Sequence, residues 1–150
     1  MEDSGHIPVI PEEVNDVLQP NVNDVIVDLT AGRGGHAYEL AKLAGSGAIV
    51  VLFDLDASNV AYAAKRIETL GVKVHAVHAN FATVATVLRN LDLRADCVLA
   101  DLGFASNQMD DPERGLSFMA EGPLDMRLNP ESSTTAADII QTTPEKELAD

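Results

Sequence analysis

Residues 25–37 read VIVDLTAGRGGHA. An apolar run from Val25 to Val27 ends at Asp28 and turns into a loop holding Gly32, Gly34 and Gly35. Beyond Gly35 the apolar positions change their spacing. Ala37, Leu40, Ala41 and Ala44 recur at helical intervals until Gly45-Ser46-Gly47 stops them. The stretch therefore predicts a strand, a glycine turn and a helix. Gly32 to Ala37 fits G-x-G-x-x-A, a turn whose glycines let backbone approach a ligand and whose following helix N-terminus favours negative charge. Such a motif also occurs as a tight turn with no ligand, so its flanks decide.

The alternation repeats on both sides of this stretch. A helix is expected from Pro11 to Leu18, with Val14, Val17 and Leu18 on one face. Ala48 to Phe53 is a continuous apolar strand, of the kind buried on both faces of a parallel sheet, and it ends at Asp54. Val60, Ala64, Ile67 and Leu70 mark a second helix stopped by Gly71, and Val72 to Val77 alternates as a strand. Phe81, Val84, Val87, Leu88 and Leu91 mark a third helix, and Ala95 to Ala100 a fourth strand that ends at Asp101. This order predicts an α/β fold with an open, doubly wound parallel sheet, which binds ligands at the carboxyl ends of its strands. Asp28, Asp54, Asn80 and Asp101 all fall there.

From Gly103 the chain is rich in Gly, Pro, Ser and Asn and shows no sustained period, as in a long functional loop or the start of an insertion. Thr135 to Gln141 reads as a short helix, and Thr143-Pro144-Glu145 as the cap and first turn of another. That last helix is cut so short that the chain is expected to be the front part of a longer protein, truncated after the fourth strand. Residues 1–102 are expected to form a cofactor-binding domain, and residues 103–150 a motif-rich loop with the start of a helical insertion.

Composition narrows the classes. Hydrophobic residues make up 46% of the 150-residue chain, enough for one domain with a core. Ten Lys and Arg against 24 Asp and Glu leave a formal charge of −14, the wrong sign for an ordinary nucleic-acid binder. Cys97 is the only cysteine, so neither a disulfide framework nor a cysteine zinc site can form. The acidic start MEDSGHIPVIPEEV does not resemble a secretory signal, and no apolar run approaches a membrane span. A cytoplasmic location is expected, without membrane association.

Without G-K-[ST], a Walker-type nucleotide site is disfavoured. Asp54 lies at the downstream distance at which an acidic residue meets ribose hydroxyls. On the loop and Asp54 alone, NAD and S-adenosylmethionine fit equally well.

The later residues discriminate. HIPV at His6, DLTAGRGGH at Asp28, FDLD at Phe53, HANF at His78 and DLGFASNQMDDPERGLSFMAEGPLDMRLNP from Asp101 to Pro130 together resemble the small-subunit ribosomal RNA methyltransferase H family, RsmH or MraW. The resemblance covers essentially the whole chain and about the first half of a family member. It implies a Rossmann-like, class I S-adenosylmethionine-dependent methyltransferase fold. It also implies methylation of the exocyclic N4 of a cytidine in 16S ribosomal RNA, with that RNA or the small ribosomal subunit as partner. Carried over residue by residue, the cofactor contacts fall on Gly34, Gly35, His36, Asp54, Phe81, Asp101 and Gln108. Asp101 is the candidate catalytic acceptor for the amine. Many amino-methyltransferases place an Asn- or Asp-Pro-Pro-aromatic motif at this strand end, where this chain has Asp101-Leu102-Gly103-Phe104. Phe104-Ala105 and Asn107 also depart from the residues common in the family, as variation in the loop.

Other candidates carry plainer readings. His75 and His78 fall on opposite faces of a strand, so no metal site is expected there. Asp110, Asp111 and Glu113 read as a solvated acidic loop rather than a magnesium site. Cys97 reads as a small buried apolar residue. Arg114 and Arg127 are balanced between RNA phosphate and neighbouring acids, and His36 reads as a loop and cofactor-shell residue rather than a general base. The alternatives to an RNA methyltransferase are an inactive cofactor-binding fragment of one and an NAD-dependent oxidoreductase domain. The latter is weakened because nothing after Asp101 looks like a dehydrogenase site.

Overall fold

A computed structural model of the chain describes residues 8–149; His6 and Ile7 of the HIPV stretch lie outside them. The chain divides into two compact units, one running through Gly103 and the other starting at Phe104.

The first unit begins with α1 (Pro11–Leu18), β1 (Val25–Asp28), α2 (Gly35–Ala44), β2 (Ile49–Asp54) and α3 (Ala57–Glu68). It continues with β3 (Lys73–His78), a 3-10 turn (Phe81–Thr83), α4 (Val84–Asn90) and β4 (Cys97–Leu99). The strands form one parallel sheet in the order β3-β2-β1-β4. Asp28 stands opposite Leu52 on one side and Leu99 on the other. The doubly wound expectation is met, because strand side chains alternate between two covered faces. Ile26, Val50 and Leu52 pack with Leu40, Ala41, Val60, Ala63 and Ile67 of α2 and α3. Val27, Val51 and Phe53 face the other way, against Val84, Val87 and Leu88 of α4. Fully burying an aliphatic side chain contributes about 1.5–3 kcal/mol, and this two-sided core supplies the unit's stability. The chain leaves β1 toward β2 and β3, then returns to the other side of β1 as β4. The reversal falls at the carboxyl end of β1, the switch point at which ligands of such sheets bind.

Two elements differ from the sequence expectation. The third helix opens as a 3-10 turn, because Asn80 Oδ1 accepts from the Ala82 N–H at 2.8 Å and tightens the start. The fourth strand spans only Cys97–Leu99. Ahead of it, Asp96 closes the ladder onto Val25 by donating its N–H to the Val25 carbonyl at 2.9 Å and accepting the Val25 N–H on its carboxylate at 2.9 Å.

The second unit holds α5 (Ser106–Met109), a 3-10 turn (Pro112–Arg114), α6 (Ala136–Thr142) and α7 (Glu145–Ala149). Gln108 is its only buried residue among those described. Hydrogen bonds order it instead. Arg127 donates to both carboxylate oxygens of Asp125, at 2.8 and 2.6 Å, and Thr135 and Asp138 cap α6 reciprocally. The Asp111-Pro112 pair, a cap followed by a first-position proline, accounts for the 3-10 turn that periodicity did not reveal.

Candidate cofactor site at the strand ends

The loop after β1 is built by its neighbours. Gly34 has φ 73°, and a Cβ there would lie 2.9 Å from the Ala63 Cβ and 3.2 Å from its Cα. The packing of α2 on α3 demands this glycine, with or without a ligand. The Gly34 N–H donates to the Ala31 carbonyl at 2.7 Å, and the Ala31 N–H to the Phe53 carbonyl at 2.8 Å. Arg33 lies over the Tyr62 ring at 4.2 Å and Arg66 over the Tyr38 ring at 4.7 Å, which turns both guanidiniums toward aromatic faces. Helix α2 starts at Gly35, with His36 in its first turn and no side chain capping it. Its leading amides carry the positive end of the helix dipole.

At the end of β2, Asp54 accepts the Gly32 N–H at 2.7 Å and the Asp56 N–H at 2.8 Å. One carboxylate thus fixes both the glycine loop and the start of α3. Burial raises its pKa while these hydrogen bonds lower it, and the balance is upward. The Ala79 N–H donates to the Asp54 carbonyl, tying the end of β3 to the same place, and Phe81 follows two residues on with 38% of its surface exposed.

The end of β1 meets the segment after β4. Asp28 is 2% exposed, and its carboxylate accepts the Thr30 N–H at 3.0 Å. The Thr30 hydroxyl accepts the Asp101 N–H at 2.7 Å and bonds in turn to the Asp28 carboxylate. Asp28 is pushed up to about 7, chiefly by burial and further by the charges of Asp54 and Asp101. Asp101 is half exposed, and its Oδ2 lies 3.8 Å from Nε2 of the nearly buried His36. In the sequence pattern Asp28 only ends a strand and Thr30 has no role. The signal that marks them is an Asp-x-Thr spacing at a strand end, where a short hydroxyl side chain bonds back to local backbone or carboxylate.

Gly34, Gly35, His36, Asp54, Phe81 and Asp101 therefore gather along one edge of the first unit. Gln108 belongs to the second, where its Oε1 accepts the Ala105 N–H at 3.0 Å. Arg127 is paired with Asp125, and Arg114 donates to the Leu128 carbonyl at 3.0 Å. Asp111 accepts the Glu113 N–H, and the ring of His78 meets the Leu55 carbonyl at 3.0 Å. Among the described residues no group of three His, Cys, Asp or Glu is placed to hold a metal, and no helix is long and apolar enough to cross a membrane. Cys97 is buried, its thiol directed at the Leu18 carbonyl at 3.6 Å.

A parallel sheet of order 3-2-1-4, a glycine turn after its first strand and carboxylates at the ends of its inner strands define a Rossmann-like, nucleotide-cofactor-binding class of protein. Residues 3–150 match the MraW methylase family, and the chain belongs to it. It is 40% identical over 149 residues to ribosomal RNA small subunit methyltransferase H of Citrifermentans bemidjiense, covering 99% of this chain and 48% of that protein. It is 43% identical to the protein of the same name from Carboxydothermus hydrogenoformans, covering 96% of this chain and 46% of that one. The chain thus spans about half the length of the curated relatives it matches. A crystal structure of a SAM-dependent methyltransferase from Aquifex aeolicus matches with 25% identity and a TM-score of 0.40, over 47% of this chain and 38% of that one.

Proposed function

We propose that the chain carries the S-adenosylmethionine site of an RNA methyltransferase that acts on the N4 amine of a cytidine in 16S ribosomal RNA. The observation that carries this reading, beside family membership, is the charge of the strand-end site. Asp28, Asp54 and Asp101 converge there, while the guanidiniums of Arg33 and Arg66 lie over Tyr62 and Tyr38. A pyrophosphate would bring two negative charges to this group of acids, whereas S-adenosylmethionine, with a sulfonium and an ammonium against one carboxylate, carries a net positive charge. Like charges in a partly desolvated site repel and opposite ones attract. The site residues present fit the second ligand.

When bound, S-adenosylmethionine supplies an activated methyl group on sulfur. In this reading Gly34, Gly35 and His36 lie along its methionine end, and Phe81 offers a ring face to the adenine. Asp54 has further lone pairs for the ribose hydroxyls beside the two amides it already accepts. Asp101, tied at its backbone to Thr30, presents an exposed carboxylate to the incoming amine; the family resemblance also assigns Gln108 to the cofactor. The amine of cytosine is a weak nucleophile because its lone pair is conjugated with the ring. An acceptor that orients it and relieves the developing positive charge lowers the barrier, and holding amine, methyl and sulfur in line is most of the remaining task. With a net charge of −14 on this chain, attraction to RNA phosphate has to come from a local basic surface, from the part of its relatives' length that the chain does not span, or from ribosomal proteins. A cytoplasmic location follows from such a substrate.

Calorimetric titration of the chain with S-adenosylmethionine, S-adenosylhomocysteine and NAD tests the reading. Either adenosyl compound should bind more tightly than NAD; tighter binding of NAD would sink it.

A further inference from the structure

Asp28 is the one carboxylate of the three at the strand ends that water scarcely reaches, at 2% exposed. Asp54 faces it from β2 and Asp101 from the segment after β4, both of its own sign. From α2 comes His36, 3.8 Å from the Asp101 carboxylate. The loop's Arg33 lies over Tyr62, and Arg66 of α3 lies over Tyr38. What favours ionisation of Asp28 is Thr30, through its N–H and its hydroxyl. That hydroxyl has a single proton. Because it accepts from the Asp101 N–H, that proton is free to point at Asp28, so the oxygen links the buried acid to the backbone of the exposed one. A buried acid among acids is an unfavourable place for a negative charge until a cation enters.

Resting on the reading that this site takes an adenosyl cofactor, we propose that Asp28 is a specificity-determining residue that separates the sulfonium ligand from its neutral thioether product. It holds a proton in the free site and releases it when the cation binds. The step breaks one O–H bond, leaves the carboxylate facing the positive ligand and passes the proton to solvent. The thioether lacks the sulfonium charge, so Asp28 keeps its proton and the product is held less tightly. Methyl transfer, which removes the sulfonium charge, would then loosen the product.

The test is calorimetry on the chain with S-adenosylmethionine and with S-adenosylhomocysteine, in buffers of different ionisation enthalpy. With Asp28 titrating at about 7 in the free site, roughly half a proton should leave per sulfonium ligand bound at pH 7, and markedly less with the thioether. Between pH 6 and pH 8 the preference for the sulfonium ligand should rise about tenfold in the wild type relative to Asp28→Asn. Ionisation of the ligand's own amine is common to both proteins and cancels. Equal proton release with the two ligands, or unchanged release in Asp28→Asn, would overturn the proposal. If Asp28→Asn fails to fold, carbon NMR of the wild-type carboxyl groups decides. The Asp28 signal should titrate near neutrality in the free chain and move to lower pH on saturation with the sulfonium ligand, and a free-chain midpoint near 4 would refute it. Failure of both adenosyl ligands to bind would overturn the function reading and this inference together. Binding without differential proton release would overturn this inference alone.

Discussion

The two units of the chain are ordered by different forces. In the first, central strand residues such as Ile26, Val51 and Phe53 are wholly buried, and the strand-end carboxylates stand at the rim of that core. In the second, the apolar side chains Phe118 and Met119 are 96% and 82% exposed, while Arg127 pairs with Asp125 and Thr135 with Asp138. A site that must hold carboxylates in fixed places is better built on the first kind of support, because close-packed cores transmit position. A polar network is softer and answers to pH and salt.

The largest effect that would break this contrast is a core truncation. Phe53→Ala empties a fully buried site and should lower the stability of the first unit by about 3–5 kcal/mol. Phe118→Ala should stay within about 0.5 kcal/mol. Urea titrations read by amide exchange in each unit would compare them. Equal losses would mean that the second unit also depends on apolar burial.

Next comes the glycine loop. Gly34→Ala combines a positive φ with a Cβ 2.9 Å from that of Ala63. Overpacking and the left-handed backbone together should cost about 2–4 kcal/mol. Ala63→Gly in the same chain should recover the packing part and leave the backbone part, a coupling that a double-mutant cycle measures. Full additivity of the two substitutions would show that the contact between α2 and α3 is not what requires the glycine.

Most of the sheet was legible because its periods are long and its covered faces alternate. Val25 to Asp28, the helix beginning at Gly35 and the run of β2 all follow from spacing alone. The parts that escaped are those set by partners distant in sequence or too short to show a period. Gly34 answers to Ala63, and Thr30 to an amide 71 residues away, so neither role can be read from G-x-G-x-x-A or from its flanks. Met109 closes a helix of only 4 residues, below any periodic signal. The cofactor contacts carried over from the family resemblance gathered on one edge wherever they fall in the first unit. Gln108 belongs to the unit where local polar bonds, not strand ends, set positions.

A smaller effect separates the units by pH. Asp28 has its folded pKa raised to about 7 from 3.8, so the folded state binds the extra proton and the first unit loses stability as pH rises through that range. Between pH 6 and pH 8 the loss should be about 1.4 kcal/mol, and Asp28→Asn should abolish it. Urea midpoints of the two proteins at each pH would measure this. A wild-type midpoint independent of pH from 6 to 8 would mean that Asp28 is ionised throughout.

The smallest effect runs the other way and belongs to the second unit. Asp125 is held down to about 2, first by its hydrogen bonds from the Arg127 side chain and backbone. A depressed carboxylate contributes stability that is present above its unfolded pKa of 3.8 and is lost as pH falls toward 2. Because the pair is only part-buried, solvent still screens it and its contribution is slight. It should appear as faster amide exchange at Met126, Ala136 and Ala137, whose N–H groups bond across segments to the Arg114, Asp125 and Leu124 carbonyls around the pair. Arg127→Met at pH 6 should reproduce that loosening, and the first unit's urea midpoint should not move in either case. Loss of protection in β1 or β2 on the same substitution would show that the sheet, too, leans on this polar network, and the division between a packed unit and a hydrogen-bonded one would fail.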